Sequence, residues 1–140
     1  MSREYSAGAI IFRKQEGKKL YLLLHYESGH WEFPKGHIEK GEQETRTVER
    51  ETEEETGIKN LVFIEGFKEP IKYFFRVKKR TIFKTVIFYL AETKTKRIKL
   101  SEEHIGFKWL NYKEAKKQLT FKNAKKIIEK ADNLLSEKGF

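Results

Sequence analysis

The stretch GHIEKGEQETRTVERETEEETGI, residues 36–58, decides how this chain is read. Gln43–Thr56 has a helix-forming composition rich in Glu and Arg, and Gly57 stands where a left-handed residue would close a helix. Between Glu42 and Glu55 there are seven Glu, opposed only by Arg46 and Arg50. The segment carries −5 in a chain of net charge +9, so the remainder carries +14. The apolar stripe is thin, with Val48 the one large aliphatic and Thr45 and Thr52 in support. Glu51 and Glu55 are four apart and Glu54 is three from Glu51, so a helix sets them on one face, where like charges repel. A solvated acidic helix on a thermophile's charged surface would account for the charge alone. A divalent cation would account for the spacing as well, because Mg²⁺ takes hard oxygen ligands from one or two carboxylates together with water and phosphate. Arg50, four before Glu54, is placed to orient it by an ion pair.

Outward from this helix the pattern alternates irregularly. Ser6–Arg13 and Lys19–Tyr26 read as strands joined through the turn signal Gln15-Glu16-Gly17-Lys18. Glu27–Gly41 reads as a long loop, the kind of segment on which sites are built. Leu61–Phe67 and Ile71–Val77 read as strands separated by Glu69-Pro70, the second with a clear period of two. Ile82–Glu92 is apolar on both faces and reads as a buried central strand. Gly106–Leu110 is a short strand, and Asn111 with Glu114 three residues on forms an N-cap box for a short helix. A last helix follows Thr120, with Ala124, Ile127, Ile128, Ala131 and Leu134 on one face and lysines on the other. The expectation is one domain over residues 1–140, of mixed α/β class with a mixed sheet.

Composition narrows the function. Among 140 residues there is no Cys, which excludes disulfide scaffolds, thiol chemistry and thiolate metal sites. No apolar run approaches the length of a membrane span, and residues 1–5 enter a strand pattern without a leader, so a cytoplasmic protein without a membrane partner is expected. The excess of Lys and Arg suits an anionic partner such as a nucleotide or nucleic acid.

The spacing of Gly36, Glu42, Arg50-Glu51, Glu54-Glu55 and Gly57-Ile58 resembles the Nudix box: Gly, five residues, Glu, seven residues, Arg-Glu, two residues, Glu-Glu, one residue, Gly and an aliphatic. Thr52 is the one departure, at a position that packs under the helix. The resemblance implies an α/β/α sandwich with a mixed β-sheet. It also implies metal-dependent hydrolysis of a nucleoside diphosphate linked to another group, with Mg²⁺ or Mn²⁺. Carried over position by position, Glu51, Glu54, Glu55 and the Gly36 carbonyl would hold the metal, and Arg50 would be the orienting cation. Glu42 would sit at the helix start and hold Arg50 or a water-bound metal.

Outside the box, His30-Trp31-Glu32-Phe33-Pro34-Lys35-Gly36-His37 is similar to the lead-in of one group of that family, the asymmetrical diadenosine tetraphosphate hydrolases. So are the segments around Lys84, Glu103 and Phe121. That likeness implies a small dinucleoside polyphosphate as substrate. It assigns His30, Lys35 and Lys84 to the polyphosphate, Tyr73 and Phe121 to an adenine, and Glu103 to a general base or further metal ligand. Lys84 lies in an otherwise apolar strand, where a buried cation needs a partner. Tyr73 shares its face with Ile71 and Phe75, so core packing is equally open to it. Whether Glu102 or Glu103 points inward stays open. An RNA 5′ end, a nucleoside triphosphate or a diphosphoinositol polyphosphate are alternative substrates, and a non-catalytic nucleotide- or RNA-binding module is the alternative class.

Overall fold

A computed structural model describes residues 2–140. The elements are β1 (Ser2–Gln15), β2 (Lys18–Tyr26), β3 (Trp31–Glu32), β4 (Lys35–His37), α1 (Glu44–Thr56), β5 (Val62–Val77), β6 (Arg80–Glu92), β7 (His104–Leu110), α2 (Tyr112–Gln118) and α3 (Lys122–Glu137). The strands form one sheet with the path β3-β2-β1-β6-β5, to which β4 adds on β1 and β7 on β2. β1 and β6 run parallel, from Ser2 opposite Ile82 to Phe12 opposite Glu92, and the other pairs are antiparallel. A parallel pair requires a long crossover, and the connection here contains α1.

The period of two along β1 separates two cores. Ala7, Ala9 and Ile11 face Val48 of α1, with Leu22, Leu24 and Ile58 completing that side. Ile10 and Phe12 face the other way, into a larger core with Leu119, Ala124, Ile127, Ile128 and Ala131 from the α2–α3 side. The result is the expected three-layer sandwich, with α1 on one face of a mixed sheet and α2 and α3 on the other. β6 lies between β1 and β5, as its two-sided apolar character requires.

Three boundaries differ from the sequence reading. β1 begins at Ser2 because its backbone pairs with β6 through Arg3 and Glu4, where the side chains carry no apolar pattern. The loop 27–41 contains the short strands β3 and β4. Residues 61–67 and 71–77 belong to one strand, β5, whose register shifts between Phe63 and Lys68, near Gly66 at φ 94°. Pro70 is tolerated because β5 is an edge strand and needs no second partner. Among the described residues no helix is long and apolar enough to cross a membrane.

Candidate active site

Helix α1 is fastened at both ends. Gly57 closes it at φ 79°, its N–H donating to the Glu53 carbonyl at 2.9 Å. At the start, Gln43 makes no side-chain cap, and Glu42 organises the approach instead. Its carboxylate accepts the Thr47 hydroxyl at 2.7 Å, the Glu39 N–H at 3.1 Å, and Arg50 in a two-pronged pair at 2.8 and 3.0 Å. Arg50 also donates to the His37 carbonyl at 2.9 Å. The hydrogen bonds from Arg50, then Thr47, hold Glu42 down to about 2. Arg50 makes the ion pair with Glu54 that the sequence suggests, at 3.5 Å, while Glu42 takes the closer, two-pronged geometry. The guanidinium therefore ties loop 37–42 to the helix.

Under this clamp lies a cavity of about 430 Å³ whose lining includes Glu51, Glu55, Glu103, Lys35, Gly36 and Lys84. Glu55 is 5% exposed, and one of its oxygens accepts the Lys35 N–H at 3.2 Å. Glu51 is largely buried, and its Oε2 has no hydrogen-bond partner. Burial, then the charge of Glu54, raises Glu51 to about 7, and burial, then the charge of Glu51, raises Glu55 to about 8. Oxygens of Glu55 and Glu103 and a ring nitrogen of His104 lie within 4.8 Å of one another. Buried carboxylates crowded together, with an orphaned oxygen, fit a hard divalent cation, which would supply the missing charge and ligand partner. Gly36 has a steric reason to be glycine: a Cβ there would overlap the Glu51 carboxylate.

Not every expected member joins this cavity. Glu54 is more than half exposed and lines a separate hollow with Glu42, Arg50 and Glu53. Three residues on from Glu51, it is rotated toward solvent, yet its charge still acts on Glu51. Of the adjacent acids it is Glu103, and not Glu102, that lines the cavity. Lys84 also lines it, half-buried and without an ion pair among the described residues. Burial, then the charge of Lys35, lowers its pKa.

A second cavity of about 390 Å³ adjoins the first, with Lys35 lining both. Ile71, Val86 and Phe88 form its floor, and Tyr73 (38% exposed) and Phe121 (49% exposed) stand among its lining. His30 lies here and not in the carboxylate cavity. Its ring stacks on Tyr26 at 4.5 Å and sits 5.4 Å from Phe121, so it extends the aromatic wall.

Two residues escaped the sequence reading. Tyr26 donates to the Phe33 carbonyl at 2.9 Å, supports His30 and lines the carboxylate cavity. Glu32 is buried in the apolar cavity, where desolvation raises its pKa against the opposing charge of Lys35. An acid between Trp31 and Phe33 was the available signal, by the same reasoning that singled out Lys84.

A glutamate-lined cavity beneath a short acidic helix, with lysines beside it, suits the metal-assisted hydrolysis of a phosphate ester or anhydride. The chain belongs to one family of such enzymes, the Nudix hydrolases: the NUDIX domain matches residues 2–131. It is 39% identical to the asymmetrical bis(5′-nucleosyl)-tetraphosphatase of Mus musculus, over 93% of this chain and 94% of the relative. It is 33% identical to the Caenorhabditis elegans protein of the same name, over 94% and 96%. The crystal structure of a C. elegans Ap4A hydrolase binary complex superposes with a TM-score of 0.84 at 32% identity, covering 96% of this chain and 98% of that one.

Proposed function

We propose that this chain hydrolyses diadenosine tetraphosphate to ATP and AMP, assisted by a divalent cation, Mg²⁺ or Mn²⁺. The observation that carries the reading is the tandem arrangement of a carboxylate cavity and an aromatic-walled cavity joined across Lys35. One suits a phosphoryl group with its counter-ion, the other a purine. The relatives named for the same reaction support it.

In this reading Glu51 and Glu55, with the Gly36 carbonyl, hold the cation, and Glu54 adds its charge from the solvent side. When bound, the cation lowers the pKa of a water ligand and neutralises charge on the displaced phosphate. Glu103 accepts the proton of the attacking water. The water oxygen bonds to phosphorus and a bridging P–O bond breaks, releasing ATP from AMP. Arg50 acts through Glu42 and the His37 carbonyl, positioning the loop that carries Gly36. Lys35 and Lys84 neutralise the polyphosphate, and His30, in the aromatic cavity beside Lys35, meets the phosphate nearest the adenine. Tyr73 and Phe121 flank the adenine. A cytosolic setting is part of this proposal.

The test is one substrate panel with Mg²⁺, resolved by anion exchange: diadenosine tetraphosphate, ATP, ADP-ribose and 5′-triphosphorylated RNA. ATP and AMP in equal amounts from the dinucleotide, at the highest kcat/KM of the panel, are expected. Preference for the RNA would overturn the substrate, and no turnover of any diphosphate would overturn catalysis.

A further inference from the structure

We propose that the outer half of the β5–β6 hairpin is a platform for single-stranded nucleic acid, separate from the hydrolytic site. Residues 72–84 contain Lys72, Arg76, Lys78, Lys79, Arg80 and Lys84 and no acidic residue. This run extends the sheet beyond α1. On β1 the row under α1 is Ala7, Ala9 and Ile11, and it continues outward as the exposed Tyr5 and Arg3. Register places Arg3 beside Phe83 and Phe83 opposite Phe74. The two Phe rings lie 5.7 Å apart, and the Arg3 guanidinium sits 5.8 Å over Phe83. Phe74 is 66% exposed and Tyr5 50%. By strand alternation Lys72 and Arg76 flank Phe74 on this face, whereas Tyr73 and Lys84 belong to the other, which carries the apolar cavity.

The hairpin turn gives an independent sign. The β1–β2 turn uses Glu16-Gly17 at φ 52° and 79°, with the glycine that such turns favour. The β5–β6 turn has the same two-residue form but holds Lys78 and Lys79 at φ 49° and 68°. Both are exposed, and neither makes an ion pair or side-chain hydrogen bond among the described residues. Positive φ at both positions closes the Val77–Arg80 pair, and it also holds two cations outward at the tip.

Chemistry selects the partner. Aromatic rings on an open sheet stack on unpaired bases, and alternating cations at strand spacing meet a phosphate backbone. A membrane-inserting hairpin would need an apolar tip, but here the tip is Lys78-Lys79-Arg80. A duplex hides its base faces from the rings.

The test is fluorescence anisotropy of a 3′-fluorescein oligouridylate with a 5′-hydroxyl, which offers the hydrolytic site neither polyphosphate nor adenine. Wild type is expected to bind, more weakly as salt rises. Phe74→Ala should weaken binding by about 5- to 150-fold, the effect of losing one stacked base, and Phe74→Tyr should retain it. Lys78→Glu with Lys79→Glu should lower both affinity and salt dependence. The kcat for diadenosine tetraphosphate should be unchanged in all of these. The double variant, at two exposed positions, serves where Phe74→Ala loses its fold. Absence of binding, equal competition by a duplex, or binding untouched by Phe74→Ala would overturn the platform. Binding to phosphatidylserine vesicles in place of the oligonucleotide would overturn it in favour of a membrane. Loss of hydrolysis in parallel with binding would return the surface to the catalytic site.

Discussion

Glu55 buries a carboxylate beside Glu51 and finds one hydrogen bond there, from the Lys35 amide. Glu55→Gln keeps the shape and that bond while removing the charge. Turnover should fall by orders of magnitude, with the thermal midpoint at pH 8 equal to wild type or higher, because a desolvated charge has been deleted. Near-normal kcat in the variant would end the ligand role of Glu55. Both acids sit above the ordinary carboxylate value of 4.5, so the folded chain holds protons that the unfolded chain has released. Their contribution to stability is complete below about pH 4.5 and is lost as pH rises through about 7 and 8. The metal-free protein should therefore lose several degrees of midpoint between pH 5 and pH 8 in scanning calorimetry. Mg²⁺ should restore them at pH 8 and do little at pH 5; a midpoint that rises over this interval without metal would refute the assignment. Glu103→Gln should cost roughly 10²–10⁴ in rate, the usual worth of a positioned base, and Glu102→Gln almost nothing. The meeting of Glu51 and Glu55 was legible because their spacing is a property of one helix, whereas Glu54 turns to solvent. The choice of Glu103 over Glu102 was not, because it depends on how residues 101–104 turn before β7. The bond from the His104 amide to the Ser101 carbonyl at 3.2 Å belongs to that turn.

At the level of elements, α1 owes little to apolar burial: its buried residues are Thr47, Val48, Thr52, Glu55 and Thr56. The threonines satisfy themselves locally, Thr56 donating to the Thr52 carbonyl at 2.6 Å and Thr47 to Glu42 at 2.7 Å. What fixes α1 against the sheet is the Arg50–Glu42 clamp and the close approach of Gly36. Gly36→Ala should reduce kcat sharply, since the new methyl displaces the Glu51 carboxylate. Circular dichroism should stay native, and an unimpaired kcat would show that β4 can yield. Asn111 caps α2 by accepting the Glu114 N–H at 2.9 Å, as its sequence position foretold. Asn111→Ala should cost about 1 kcal/mol of stability, read by urea denaturation, and leave kcat alone. Caps and helix ends were readable because their signals are local. The continuity of β5 was not: Pro70 and Gly66 punctuate the chain like a break, and only pairing with β6 carries the strand through.

Over the whole molecule, charge is sorted. The acidic helix fronts a body carrying +14, and away from Arg50 the described residues form only a few ion pairs: Lys19–Asp132, Arg46–Glu49, Lys68–Glu44, Lys116–Glu129 and Lys130–Glu69. The composition suggests a surface network of neutralised pairs, but most of the cations stand free to act on an approaching anion. Association with a tetraphosphate should therefore slow markedly between 50 and 300 mM salt, with kcat less affected, by stopped-flow at low substrate. A salt-independent kcat/KM would deny any steering. Tyr73→Ala or Phe121→Ala should each lower kcat/KM for the dinucleotide by roughly 5- to 150-fold, from the loss of one base-stacking wall. Two silent variants would remove the adenine from this cavity. The parallel pairing of β1 with β6 bears on synthesis as well. Residues 2–12 leave the ribosome long before residues 82–92, so one side of β1 stays open while α1 and β5 are being made. Until β6 emerges, the exposed edge of β1 is the chain's point of greatest exposure to wrong partners, and the hydrolytic site cannot close. Activity should appear late in translation, after the strand that supplies Lys84 fills the gap, Glu103 follows at the margin of β7 and the chain beyond it brings Phe121 to the second cavity.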